Sequence, residues 1–220
     1  MNQSEAEAAQ PTSAELWESL LDAVRALPDM FRPGQLALLT ATSKVEGPVR
    51  DALATFLHER YGDELVVGRE VSRGDLSVLR PDGSFVMRGE HKALYAFDAV
   101  TPRKVKDYLF AMEADYDKLH DVQQKGELQY VLSTMTWLGP GVPSVLEGRV
   151  IKYADMQRRT LARLNLTHAA LRTRAVADWT TTLKRLCPEP EPVLHFTFDV
   201  GPFHGVDIGL DVHIGRVSVR

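Results

Sequence analysis

The stretch RGDLSVLRPDGSFVMRGEHKALYAF, Arg73 to Phe97, decides the fold. It holds two runs with a strand's two-residue period, DLSVL and SFVMRGEHKALYAF, joined by RPDG with its proline and glycine in turn positions. Both runs carry charges among Leu, Val, Phe and Tyr: Asp75 in the first, Glu90 and Lys92 in the second. A buried sheet discourages charges that lack partners. Side chains two apart share a strand face, so Glu90 and Lys92 point the same way and His91 points the other. A hairpin about the turn then sets Asp75 beside Glu90. Two adjacent carboxylates repel, and each rises in pKa unless a cation sits between them. Mg²⁺ or Mn²⁺ resolves the conflict: such ions take oxygen ligands, commonly one or two carboxylates with water and phosphate oxygens. An ion held there polarises a phosphate and lowers the pKa of a bound water. Lys92 beside it would hold or deprotonate the attacking water, or neutralise charge on the phosphorane. This is the layout of a phosphodiesterase.

Working outward, Ser13 to Leu27 carries a helical stripe of Leu16, Leu20, Leu21 and Val24, and LPDMFRPG ends it. A second helix is expected over Ser43–Tyr61, where Ser43 and Glu46 have capping-box spacing and Pro48 falls early. ELVVGREV reads as a strand ahead of the hairpin. Thr101-Pro102 opens a long helix with Val105, Leu109, Met112, Tyr116 and Leu119 on one face. ELQYVLSTMTW is apolar enough for a central strand. After LGPGVPS the pattern from Tyr153 to Leu186 is helical, split near Asn165–Thr167, and the C-terminal tail alternates as two or three strands. The order predicts an α/β fold: a three-layer α/β/α arrangement around a central mixed sheet, plus a helical segment and a C-terminal β-meander. Residues 1–12 read as a flexible tail and 13–220 as a single domain.

An acidic residue in one strand, a hairpin, then Glu-x-Lys in the next, followed by a helix and a strand, resembles the PD-(D/E)XK nuclease superfamily with its restriction-endonuclease-like fold. Here GDL supplies the aspartate and EHK the Glu-x-Lys, with Gly74 where the superfamily usually has proline. The resemblance covers Ser43 to about Trp137, leaving 138–220 as elaboration. It implies that Asp75 and Glu90 bind metal and that Lys92 is catalytic. It also implies a further glutamate that completes the metal site from the preceding helix: Glu46, at the edge of the stripe of Val45, Val49, Ala52, Leu53, Phe56 and Leu57, with Glu59, or Glu70 in the first strand, as alternatives. In DYDKL, Asp115 and Lys118 are i,i+3 neighbours placed to orient Lys92. The implied activity is a Mg²⁺- or Mn²⁺-dependent endonuclease acting on DNA rather than RNA, in restriction, repair or phage defence. The runner-up is a non-catalytic nuclease-fold subunit that binds or regulates. A third reading is a small-ligand-binding protein whose acidic strands face a pocket.

A net charge of −4 excludes a chain that coats nucleic acid by bulk charge. The densest positive charge, Arg158, Arg159, Arg163, Arg172 and Arg174 with Lys184 and Arg185, falls in the helical segment and is the candidate nucleic-acid surface. Trp179 in that segment reads as core. His195, Asp199, His204, Asp207, Asp211 and His213 read as solvent-facing positions of the meander rather than a second metal site. The single cysteine, Cys187, reads as a structural thiol in a reducing compartment. No apolar run approaches a membrane span and the N-terminus lacks the pattern of a secretion signal, so a cytoplasmic protein is expected. Cutting both strands of a duplex needs two sites and hence often a dimer, so the expected protein partners are a second copy of this chain or a larger complex.

Overall fold

The computed structural model describes residues 11–72, 74–121, 126–187 and 192–217, and the side chains of Tyr116 and His120 lie outside the described ones. Helix α1 (Ser13–Arg25) opens on a capping box in which Thr12 Oγ1 accepts from the Glu15 amide and the Glu15 carboxylate accepts from the Thr12 amide. Thr12 therefore belongs to the helix rather than to a tail; residues 1–10 of the expected tail lie outside the described residues. Helix α2 (Gln35–Thr42) was not expected, because QLALLTAT is apolar nearly all round and shows no stripe. Ser43 Oγ bonds back to the Leu39 carbonyl and closes α2. Helix α3 (Glu46–Tyr61) begins after Val45 with no side-chain cap, so the Ser43–Glu46 capping box does not form.

Strands β1 (Val66–Val71), β2 (Gly74–Leu79) and β3 (Phe85–Tyr95) run antiparallel in turn. Short α4 (Ala96–Ala99) and long α5 (Pro102–Asp121) then carry the chain across to β4 (Leu128–Leu138), which lies parallel to β3. Helices α6 (Ala154–Leu164) and α7 (His168–Leu183) are split at Asn165, whose φ is 51°, and Thr167 caps α7 through the Ala170 amide. Strands β5 (Leu194–Phe203) and β6 (Val206–Arg216) form a hairpin whose β6 pairs antiparallel with β4. The C-terminal strands thus extend the central sheet instead of forming a separate meander. Among the described residues the result is one mixed sheet of six strands in the order β1-β2-β3-β4-β6-β5.

Both faces are covered. On one, Val49, Leu53 and Leu57 of α3 and Leu16 and Leu20 of α1 pack on Leu76, Tyr130, Leu132, Leu210 and Ile214. On the other, Met112 of α5 and Leu171, Ala175 and Trp179 of α7 pack on Leu94, Val131 and Met135. Trp179 is core, and its Nε1 donates to Ser133 Oγ at 2.7 Å. Cys187 is buried against Gly215, its thiol pushed up to about 12 by burial, as a structural thiol should be.

The expectation that the C-terminal His and Asp residues face solvent fails at Asp211 and His213, which are fully buried because α7 covers that face of β6. Arg172 on α7 grips both Asp211 oxygens at 3.0 and 3.1 Å, and His195 Nε2 and Thr197 Oγ1 lie 3.0 and 2.7 Å from Oδ1. Burial alone would raise this carboxyl, but its bonds to His195, Arg172 and Thr197 hold it down at about 2. At the outer edges the pairing is broken. Glu70, with φ 56°, is left out of the β1–β2 register, and β5 carries an irregularity between Asp199 and Gly201 just before Pro202.

Two aromatic residues of β4 lie across glycines of their paired neighbours. Tyr130 covers Gly89 and Trp137 covers Gly209, and a Cβ at these glycines would fall 2.0 and 1.9 Å from the rings. Tyr130 also reaches His91 Nε2 with its hydroxyl at 2.9 Å, so the strand that carries the site is seated by this ring. Gly89→Ala must displace Tyr130 and should cost about 1–3 kcal/mol. Urea unfolding of the variant and wild type, read at the midpoint, checks this.

Candidate active site

Strand β2 is shorter than β3, and the difference makes the site. The last pair between them is Leu76 with Gly89, which places Asp75 beside Glu90 at the next step. Beyond it, the amides of His91, Ala93 and Tyr95 face an edge with no strand among the described residues. Each finds a carboxylate instead: His91 donates to Asp75 Oδ2 at 2.7 Å, Ala93 to Glu46 Oε2 at 3.1 Å, and Tyr95 to Asp98 Oδ2 at 3.3 Å. The acids come from β2, the first turn of α3 and α4. Glu46 thus reaches the sheet rather than serving as a cap partner.

Glu90 and Lys92 share the opposite face from His91, as the period requires. Glu90, only 6% exposed, hydrogen-bonds Asp75. Burial first, then the charges of Asp75 and Asp115, push its pKa up to about 9, so at neutral pH it holds a proton against its neighbour. Glu46 is also raised, chiefly by burial. Lys92 ion-pairs with Asp115 at 2.5 Å, and Lys118 meets the other Asp115 oxygen at 2.7 Å. Burial works to lower the Lys92 pKa, but the Asp115 bond and the charges of Asp115, Glu46 and Glu90 outweigh it and the net shift is upward. Asp115 moves the other way: burial opposes, yet its bonds to Lys118 and Lys92 hold it down. His91, behind this cluster, is fully buried and lowered by burial to about 4.

The structure therefore brings together Asp75, Glu90, Lys92, Glu46, Asp115 and Lys118. It does not bring in the alternatives. Glu59 lies on the far part of α3 beside an apolar groove with Met30, Phe31 and Phe56, and Glu70 pairs with Arg50 at 2.6 Å. Of the basic residues, Arg172 is committed to buried Asp211 and stacks over Trp137, so it leaves the candidate nucleic-acid surface. Arg174 pairs with Asp178 along α7. Arg158 and Arg159 keep exposed side chains, 67% and 75%, while pairing with Glu147 and Asp155, and Arg163 reaches Thr101 Oγ1 at 3.3 Å. Asp98 escaped sequence reading, although an aspartate in the apolar run ALYAFDAV was the available signal.

Among the described residues, no three His, Cys, Asp or Glu side chains stand gathered as metal ligands. Asp75 and Glu46 each turn one oxygen to a main-chain amide, and Glu90 keeps its proton. The Asp75–Glu90 pair still fits a hard cation that takes one or two carboxylates and completes its shell with water. A buried carboxyl that retains a proton beside another carboxylate is a place where a cation can take the proton's role. No protein-family model, characterised protein or solved structure matches the chain. Among the described residues, no helix is long and apolar enough to cross a membrane.

The Glu90 shift fixes a sign. An unfolded chain releases this proton near pH 4.5, whereas the folded protein holds it to about 9, so folding is progressively disfavoured as pH rises between those values. Glu90→Gln has no proton to lose. Without metal it should melt higher than wild type at pH 8, by on the order of 2 kcal/mol, with the gap closing near pH 4.5. Adding Mn²⁺ should favour wild type over the variant. Thermal melts across pH, with and without Mn²⁺, read both.

Proposed function

We propose that this protein is a metal-dependent phosphodiesterase, an endonuclease of the PD-(D/E)XK type with DNA as its favoured substrate. The observation that carries the reading is the pairing of Asp75 with Glu90 where β2 ends, with the Lys92 ammonium on the same face. The order that carries the resemblance, helix, three strands, helix, strand, runs here as α3, β1, β2, β3, α5 and β4. The restriction-endonuclease-like type of the sheet belongs to this same proposal.

Asp75 and Glu90 would hold Mg²⁺ or Mn²⁺, which when bound polarises the phosphate and acidifies a water. Lys92 acts as a charged donor. Asp115 pins it from behind and keeps it protonated, so it steadies negative charge growing on the phosphoryl oxygens and is not the general base. Glu46 has a carboxyl raised by burial and lies against the same strand, which suits it to accept the proton of the attacking water. Asp115 and Lys118 position Lys92 without touching the substrate. Arg158, Arg159 and Arg163 on α6 would meet phosphates, and a second copy of the chain would serve the other strand of a duplex.

Linear, circular and single-stranded DNA, and RNA, incubated with Mg²⁺ or Mn²⁺ and with EDTA, test the reading. Cleavage should require the metal. Asp75→Ala, Glu90→Ala and Lys92→Ala should each reduce it by about a hundredfold or more with a folded protein remaining. Full activity in EDTA, or in Lys92→Ala, overturns the mechanism.

A further inference from the structure

The open edge of β3 continues past the carboxylates into a small cavity of about 150 Å³ whose walls include Tyr95, Phe97, Tyr108 and Tyr153, with Lys44, Lys104 and Asp98 around them. Tyr95 stands two residues beyond Ala93, whose amide holds Glu46, so the cavity begins about 7 Å along the same edge. Lys44 stands two residues before Glu46 and donates to Tyr108 Oη at 2.9 Å. The cavity and the carboxylate cluster are therefore neighbours.

Its chemistry is specific. Tyr95 and Tyr153 have ring centroids 4.8 Å apart, and Phe97 stacks on Tyr95 with only 7° between planes. Tyr95 is 3% exposed, yet its hydroxyl has no hydrogen-bond partner among the described residues. A buried hydroxyl left unbonded costs stability and calls for a partner. Asp98 adds an acceptor at the floor, bonded through Oδ2 to the Tyr95 amide and to Tyr108 Oη at 3.4 Å. At the mouth, Tyr153 is 39% exposed and holds φ 63°, a left-handed conformation that a bulky residue adopts only under constraint. Strain of this kind gathers at ligand contacts.

We infer that this cavity receives one unpaired nucleobase of the substrate, stacked on the exposed ring of Tyr153, with Asp98 and the Tyr95 hydroxyl bonding its polar edge and Lys44 and Lys104 attending the flanking phosphates. Aromatic stacking on a base, backed by cations, is how proteins hold single strands. The inference rests on the phosphodiesterase reading and narrows its substrate to a nucleotide that is single-stranded or turned out of a duplex.

The test is fluorescence anisotropy with labelled single-stranded DNA, single-stranded RNA and duplex DNA, in Ca²⁺ to limit cleavage, alongside cleavage in Mn²⁺. The informative variants are Tyr153→Gly and Tyr153→Phe. Glycine removes the ring and also relieves the left-handed backbone, so its melting temperature should hold or rise and lost binding will not be lost folding. Tyr153→Gly should weaken single-strand binding about tenfold, Tyr153→Phe should restore it, and fully paired duplex should be affected least. Tighter binding of RNA than DNA would assign the nucleotide to RNA. Wild-type affinity for single strands in Tyr153→Gly overturns the pocket, whether or not the enzyme cuts. A wild type that binds single strands through Tyr153 yet cleaves nothing with Mn²⁺ keeps the pocket and overturns the nuclease.

Discussion

Where β2 stops, three main-chain amides of β3 lose the strand that would have bonded them, and everything around the site follows from how they are satisfied. A buried N–H without a partner costs about 1–3 kcal/mol. Here the partners are Asp75, Glu46 and Asp98, drawn from a strand, a long helix and a short one. Meeting that demand fixes the first turn of α3 against β3 and turns α4 sharply at the strand's end. It also concentrates negative charge along one line of backbone. The same bonds that complete the sheet thus assemble the acidic cluster, so structural and chemical roles fall on the same side chains.

Such a line of carboxylates is tolerable only with compensation, and the protein uses two kinds. Glu90 gives up its charge by holding a proton, while Lys92, Lys118 and Lys44 supply positive charge from β3, α5 and the segment before α3. Asp115 is shared between Lys92 and Lys118, which restrains Lys92 beside Glu90. A divalent ion would be a third form of compensation, exchanging for the Glu90 proton. The neutral carboxyl and a metal-bound carboxylate would be alternative ways to settle the same charge.

Much of this was legible in the sequence because it depends on short periods. The two-residue alternation of β3 put Glu90 and Lys92 on one face, and the RPDG turn put Asp75 beside them. The i,i+3 spacing paired Asp115 with Lys118. Glu46 was reachable only through the resemblance, since its contact with Ala93 joins segments far apart in the chain. Helix α2 stayed hidden because QLALLTAT has no polar face to mark it. Asp211 and His213 looked solvent-facing because alternation alone cannot say what covers a strand, and α7, with Arg172, covers them. Asp98 and Tyr95 were missed for a related reason: their significance comes from an edge left open, which no residue pattern announces.

The irregular outer strands bear on how copies of this chain can meet. A sheet edge with regular, unpaired amides invites another strand to add to it, and proteins blunt such edges with bulges, charges and proline. Here one outer strand is interrupted at Glu70 and flanked by Arg69, and the other is broken between Asp199 and Gly201 and followed by Pro202. Growth of the sheet from either side is thereby frustrated along part of its length. Self-association, where it occurs, is steered toward the helical layers, and the protein gains resistance to open-ended strand-on-strand polymerisation.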